Sequence, residues 1–351
     1  MVYRFPAMRG IQANSEYYVC MIPLGILAKI FIDASPDTLP EFRAQRKLNE
    51  HRIPEIRDYI LNNRCSYVFS ALAASIDGQV VFIPINQNAN IGELEIDISA
   101  TFLINDGQHR KAAIIKAIES DESLRDETIA VVLYKDKGLE RSQQMFTDLN
   151  KHAVNTSKSL NTLYDSKDPL AIMTKQVVAQ VPFLRKYTDK EKDNLAKYAA
   201  KLFTLNVLYD ANKRIIKNPT NIDTETKYLI DFWTSVVKYM KDWNEMENGE
   251  LSKKELRESY ISIRGVTIHA FGRLGCYLFQ HPEYDLDERL KGLSKIDWTR
   301  SNLECWENRA ITNDGRINRN EKGIFLTYIQ IKRLLGLKID ADEATREKQS
   351  I

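Results

Sequence analysis

Cysteine is sparse. The four present, Cys20, Cys65, Cys276 and Cys305, stand far apart, with no Cys-x-x-Cys pair. That supplies neither the spacing of a structural zinc site nor the density of a disulfide framework, so both are excluded and no metal site is expected. Most of the four thiols read as small buried hydrophobes. An excess of either charge is also missing: 50 Lys and Arg stand against 48 Asp and Glu, a formal net charge of +2. A nucleic-acid surface must then come from local clustering. No apolar run reaches membrane-spanning length, and Met1-Val2-Tyr3-Arg4-Phe5-Pro6 lacks the layout of a signal peptide. A cytoplasmic protein with no membrane partner is expected. The absence of a Gly-x-x-x-x-Gly-Lys-Ser/Thr loop, a zincin histidine pair and a Gly-x-Ser-x-Gly elbow excludes the classical P-loop and hydrolase readings. There is no internal repeat of fixed period and no low-complexity segment.

What is present is ordinary for a folded protein: 43% hydrophobic and 28% charged residues. A chain of 351 residues exceeds one small core, so two domains are expected. Tyr17 to Ile22 reads as a strand. Pro23 opens a helix over Leu24 to Phe31, where its missing N–H costs nothing. Residues 33–40 read as a loop. Ile53 to Leu61 places apolar residues at 53, 56, 59 and 60, one face of a short amphipathic helix that Asn62-Asn63 ends. Strands follow at Tyr67 to Leu72, Gln79 to Ile83, Leu94 to Ile98 and Thr101 to Ile104. Asp77-Gly78 signals a tight hairpin between the first two. Thr128 to Tyr134 reads as a buried strand, and Leu139 to Leu149 as a helix. Beyond about residue 157 helical patterns take over: Leu170 to Val181, Asp193 to Leu208, Thr224 to Trp243, then 255–281 and 321–338. The pattern predicts an α+β domain over residues 1–165 and a mostly α-helical domain over residues 166–351.

One stretch concentrates the chemistry. Between strand Thr101–Ile104 and the helix formers Lys111 to Glu119 stand Asn105-Asp106-Gly107-Gln108-His109-Arg110. Backbone N–H groups at a helix start are unpaired and carry partial positive charge, so such a turn suits an anion. Gly107 permits a positive φ or close approach of a ligand, and the Arg110 fork matches phosphate. A plain capped helix start explains Asp106 and Gly107. It leaves Gln108, His109 and Arg110 unexplained, and an arginine there opposes the helix dipole. His109 is a general-base candidate with no second partner evident in the sequence.

Basic segments flank this turn. Arg43, Arg46, Lys47, His51, Arg52 and Arg57 form either a solvated helix face or a phosphate-contacting run. Asn150-Lys151-His152 closes the Met145 to Leu149 helix pattern. Lys213-Arg214 and Lys217 make a basic loop or helix end. Arg300, Arg309, Arg316, Arg319, Lys322, Lys332 and Arg333 make the C-terminal stretch locally basic around Trp298 and Trp306, both expected in the core. Lys253 to Leu278, with Gly265 at the turn position, comes nearest to a helix-turn-helix.

Asp106-Gly107-Gln108-His109-Arg110 is the motif that names the DGQHR domain. Gln45-Arg46 to Arg52, the helix to Leu61, the strand block, Phe146-Thr147-Asp148-Leu149-Asn150 and Ser157-Lys158-Ser159-Leu160 fit that domain over about residues 41–165. The chain further resembles the DndB family of DNA phosphorothioation gene clusters. Tyr3 to Gly10, Tyr67 to Leu72 with Ile76-Asp77-Gly78, Arg264-Gly265 to Gly275 and Trp298 to Leu337 carry that likeness. It implies a bacterial cytoplasmic protein of a DNA sulfur-modification defence system. Such a protein binds double-stranded DNA at the promoter of its own cluster and represses transcription, without transferring sulfur. The likeness also implies a mixed sheet distantly similar to ParB N-terminal domains, whose Arg-bearing turn at a helix start holds nucleotide phosphates. Gly107, Gln108, His109 and Arg110 would then face phosphate, helped by Arg46, Arg52 and Asn150, with Asp106 orienting Arg110 or a metal ion. DNA contacts are expected from Arg43, Lys47, Lys213, Arg214, Lys217, Arg316 and Arg319. Two alternatives stay open. One is a nucleotide-binding or hydrolysing switch, an NTPase taking a nucleoside triphosphate with Mg, with Asp106 or His109 as catalytic residue. The other is a scaffold for other phosphorothioation proteins. A non-enzyme is the leading expectation, and a homo-oligomer is compatible with each reading.

Overall fold

A computed structural model describes residues 1–31, 48–135, 144, 145, 148 and 156–350. The chain divides into two compact units, Met1–Val154 and Asn155–Ile351. It is mixed α+β, with a seven-stranded mixed sheet in the first unit and mostly helices in the second.

In the first unit the order is β1 (Val2–Gln12), β2 (Ser15–Pro23), α1 (Leu24–Ile30), α2 (Ile53–Asn62), β3 (Leu72–Asp77), β4 (Val80–Pro84), β5 (Ile91–Asp97), β6 (Thr101–Asp106), α3 (Gln108–Ser120) and β7 (Thr128–Lys135). The sheet runs β4-β5-β1-β2-β7-β3-β6. Among the described strands of this sheet only β3 and β7 pair in parallel. Ala13 and Asn14, both at positive φ, form the two-residue turn from β1 to β2, the geometry that matches strand twist.

Two sequence expectations fail here. The aromatic run Tyr67 to Phe69 is not a strand. It packs sideways instead, with Phe69 against Tyr59 at 6.0 Å and against Tyr67 at 5.7 Å. The Val68 N–H donates to the Tyr59 hydroxyl. The strand begins only at Leu72. Asp77-Gly78 does link β3 to β4, but these strands do not pair. β3 lies between β7 and β6, and β4 lies at the far edge beside β5. Asp77 and Val80 can lie at most about 11 Å apart along the chain. Across a flat sheet their strands would be about 24 Å apart. The same conflict holds from Asp97 on β5 to Thr101 on β6. Both short links are satisfied only if the sheet curls until its two edges approach. A Cβ placed on Gly78 would lie 2.6 Å from the Ala100 Cβ, so the two links touch. The curled sheet encloses one core that holds Phe5, Ile22, Ile76, Leu94, Phe102 and Val131. The expected loop at 33–40 lies outside the described residues. So does the helix Leu139 to Leu149, apart from Gln144, Met145 and Asp148, which have helical backbone.

The second unit contains α4 (Lys158–Tyr164), α5 (Pro169–Gln180), α6 (Pro182–Tyr187), the two-residue strands β8 (Thr188–Asp189) and β9 (Phe203–Thr204), α7 (Leu205–Ile215), α8 (Ile222–Tyr239), α9 (Lys241–Asn248), α10 (Lys253–Ser259), α11 (Gly265–Gln280), α12 (Glu321–Leu334) and α13 (Ala341–Ser350). The helix expected over Asp193 to Leu208 starts only at Leu205. Thr204 caps it, accepting from the Val207 N–H, and the residues before it belong to tertiary contacts. Asp193 accepts from the N–H groups of Lys158 and Ser159, and Arg257 holds the Ala199 carbonyl.

α11 is the central helix. Val266, Ile268, Phe271, Leu274 and Leu278 are all buried. A recognition helix must be free to enter a groove, so the helix-turn-helix reading of Lys253 to Leu278 is overturned. Trp298 and Trp306 stack in the core at 5.2 Å, as expected. Gly272 brings α7 close: a Cβ there would sit 2.6 Å from the Ala211 carbonyl oxygen. Gly272→Ala would gain about 1 kcal/mol of helix propensity. It is nevertheless expected to destabilise by about 1–3 kcal/mol, because backbone cannot yield as a side chain does. Urea denaturation checks this, and a midpoint above wild type would refute it. Among the described residues no helix is long and apolar enough to cross a membrane.

Candidate functional site

The DGQHR turn lies where β6 becomes α3. Gly107 sits at φ 99° and ψ 15°, in the left-handed region. A Cβ there would approach the Leu72 Cδ2 to 2.4 Å. Glycine therefore meets two demands at once, an unusual φ and a tight contact. The Arg110 fork is occupied by protein. Nη2 donates to Asp106 Oδ2 at 2.8 Å, and Nη1 to the carbonyls of Ser70 at 2.6 Å and Ala71 at 3.0 Å, with the Ser70 hydroxyl as a further acceptor. His109 is buried, and its Nε2 accepts from the Asn49 N–H at 3.0 Å, so this nitrogen carries no proton. Asn105 is buried and accepts from the Ser75 hydroxyl at 3.0 Å. The motif thus ties segments 49 and 70–71 onto the start of α3. A phosphate at Arg110 would have to share its fork with Asp106 and the two carbonyls.

Gln108 is half-buried in the first turn of α3. Arg52 is exposed at the start of α2, with its backbone N–H on the Asn49 carbonyl. Arg43, Arg46, Lys47 and Asn150 lie outside the described residues. Among the described residues no group of three His, Cys, Asp or Glu is placed to hold a metal ion.

A second concentration of charge lies in the helical unit. A cleft of about 740 Å³ opens at the start of α11, lined by Arg257, Arg264, Arg300 and Arg319. It adjoins an open hollow of about 770 Å³ that adds Arg316. Arg257 is only 7% exposed, and its fork grips the backbone carbonyls of Ala199 and Lys201. Arg264 gives one Nη2 bond to the Arg257 carbonyl, and its Nε is buried without a partner. Arg300 donates to the Gly315 carbonyl at 2.8 Å and the Glu258 carbonyl at 3.3 Å. Arg319 is exposed, with no hydrogen bond or ion pair among the described residues. None of the four pairs with a described carboxylate. Burial lowers the Arg264 pKa, and the charges of Arg300, Arg257 and Arg319 push it further the same way.

His269 lines the same cleft. Burial first and the Arg214 charge second push its pKa down to about 4, so the ring is neutral at pH 7, and its Nε2 is buried without a partner. The nearby acids are engaged: Asp193 accepts two backbone N–H groups and Glu258 pairs with Lys197 at 2.7 Å.

Of the expected DNA-contacting residues, Arg316 and Arg319 therefore come together with Arg264 and Arg300. Arg316 meets Asp314 at 3.2 Å but remains 85% exposed. Lys213, Arg214 and Lys217, at the end of α7, line neither hollow. Lys213 and Lys217 are exposed, whereas Arg214 is tied to Glu321, which also holds Arg273 at 3.0 Å. The sequence reading missed Arg257 and Arg264 as cleft residues. They stand far from Arg300 in the chain, and no local run marks them.

Fold and site together define a two-unit α+β protein in which, among the described residues, four arginines gather on one cleft of the helical unit. The chain belongs to the DndB family, described as DNA-sulfur modification-associated, whose model matches residues 5–338. Membership involves it in DNA sulfur modification. No curated protein and no solved structure matches it significantly.

Proposed function

We propose that this protein is a DNA-binding transcriptional repressor of a DNA phosphorothioation gene cluster. The observation that supports this is the convergence of Arg264, Arg300, Arg316 and Arg319 on one open hollow, whose only acidic side chain among the described residues is Asp314. Arg264, Arg300 and Arg319 have no described carboxylate partner, and Arg316 remains largely exposed beside Asp314. Such arginines suit the phosphates of a duplex, which supply position and most of the affinity. The DGQHR turn then serves by holding the first unit together, with Arg110 as its internal clamp.

Binding through phosphates releases counterions, so affinity for a duplex from the upstream region of the cluster falls steeply with salt. Each lost phosphate contact lowers the log–log salt slope by about 0.9. The double variant Arg316→Ala/Arg319→Ala is expected to weaken the gel shift and to flatten that slope by about two such steps. A gel shift that does not respond to salt, or that is the same in the double variant, would rule this surface out.

A further inference from the structure

The cleft itself asks for something other than a duplex. Its deepest cationic groups are recessed. Arg257 is almost fully buried, and the Arg264 Nε lies out of reach of solvent. Bringing arginines together away from water and without carboxylates is costly, and a bound anion relieves both the desolvation and the mutual repulsion. α11 starts here with no side chain capping it. In the first turn of this 16-residue helix the Thr267 N–H donates to the Arg264 carbonyl, while those of Gly265 and Val266 have no acceptor among the described residues and add partial positive charge. A Cβ on Gly265 would meet nothing within 4 Å, so the space in front of the helix start is open. Apolar side chains line the same cleft: Phe203, Val207, Ile263 and Ile324. The volume falls in the range of clefts that hold small molecules.

We propose that this cleft binds a small phosphorylated organic molecule, with its phosphoryl group on Arg264, Arg319 and the start of α11 and its apolar body against Phe203 and Val207. The inference does not rest on DNA binding, although Arg264 and Arg319 line both the recess and the open hollow. It also stands apart from the DGQHR turn, whose arginine is already bound by protein.

Calorimetric titration of the full chain with phenyl phosphate, without DNA, tests it. Saturable binding of one molecule per chain is expected, tighter than inorganic phosphate because the ring meets the apolar wall. Phenol, which lacks the phosphoryl group, should not bind. Arg264→Gln should weaken binding roughly tenfold or more, the loss of a charge-assisted contact. Arg264 also bonds the Arg257 carbonyl, so this variant is paired with Arg319→Ala, whose side chain holds nothing and whose fold should be intact by circular dichroism. That variant should weaken binding several-fold. No saturable binding to the wild type at millimolar concentration, or wild-type affinity in Arg319→Ala, overturns the site. Competition by a 5′-phosphorylated single strand equal to that by phenyl phosphate would move the source of the phosphoryl group from a free molecule to a DNA end. A failed gel shift with intact phenyl phosphate binding would count against the repressor reading alone.

Discussion

Gly107→Ala is expected to destabilise the first unit by about 2–4 kcal/mol, as two effects add. A φ of 99° is open to glycine and strained for alanine, by about 1–3 kcal/mol. The new methyl would also lie 2.4 Å from a Leu72 methyl. Leu72 is fully buried at the start of β3, so it cannot swing away without opening the core. The displacement would travel further, because Ser70 and Ala71, just before Leu72, hold the Arg110 fork. The damage should therefore include loss of the Arg110–Ser70 bonds, seen as faster exchange of the Arg110 guanidinium protons, and faster exchange of the Lys111 amide, which donates to the Gly107 carbonyl. Urea denaturation followed by far-ultraviolet circular dichroism measures the cost. A midpoint equal to that of the wild type would show that the turn tolerates a side chain and that the glycine is not structurally required.

A loss of comparable size is expected in the second unit when Glu343 is replaced by alanine. The Lys332 side chain is 0% exposed, with Nζ 2.7 Å from Glu343 Oε2 and 3.6 Å from the centre of the Tyr277 ring. The Tyr328 hydroxyl donates to the other Glu343 oxygen at 2.7 Å. Burial, then this bond, push the Tyr328 pKa far up, so it remains a neutral donor. Without Glu343 an ammonium stays buried with only ring faces beside it. Breaking a buried pair on one side typically costs about 3–5 kcal/mol. Replacing both partners, Lys332→Met with Glu343→Leu, should recover most of that loss, because the desolvation cost of the pair vanishes with the charges. All four tryptophans, Trp233, Trp243, Trp298 and Trp306, lie in this unit, so their fluorescence follows its unfolding directly. If the double variant is no more stable than Glu343→Ala, the pair contributes through packing and not through compensated charge.

Local features of this protein are legible in its sequence. The strand ending at Asp106, the helix beginning at Gln108 and the glycine between them follow from residue types a few positions apart. So do the helix after Pro23, the helix at Ile53–Asn62 and the buried tryptophans. Period and turn chemistry act over one or two turns of chain, and a sequence displays that range directly. Tertiary contacts decided the rest. Asp77-Gly78 carries a correct turn signal, yet the strands it joins pair elsewhere, because pairing partners are chosen by the curl of the whole sheet. Arg110 has the chemistry of a phosphate ligand, yet its acceptors are carbonyls some forty positions earlier in the chain. Arg300 and Arg319 belong to the locally basic C-terminal stretch, but Arg257 and Arg264 belong to no basic run. The four make one electropositive cleft only because the folded helices of the second unit bring them together while every nearby described carboxylate is held by another group.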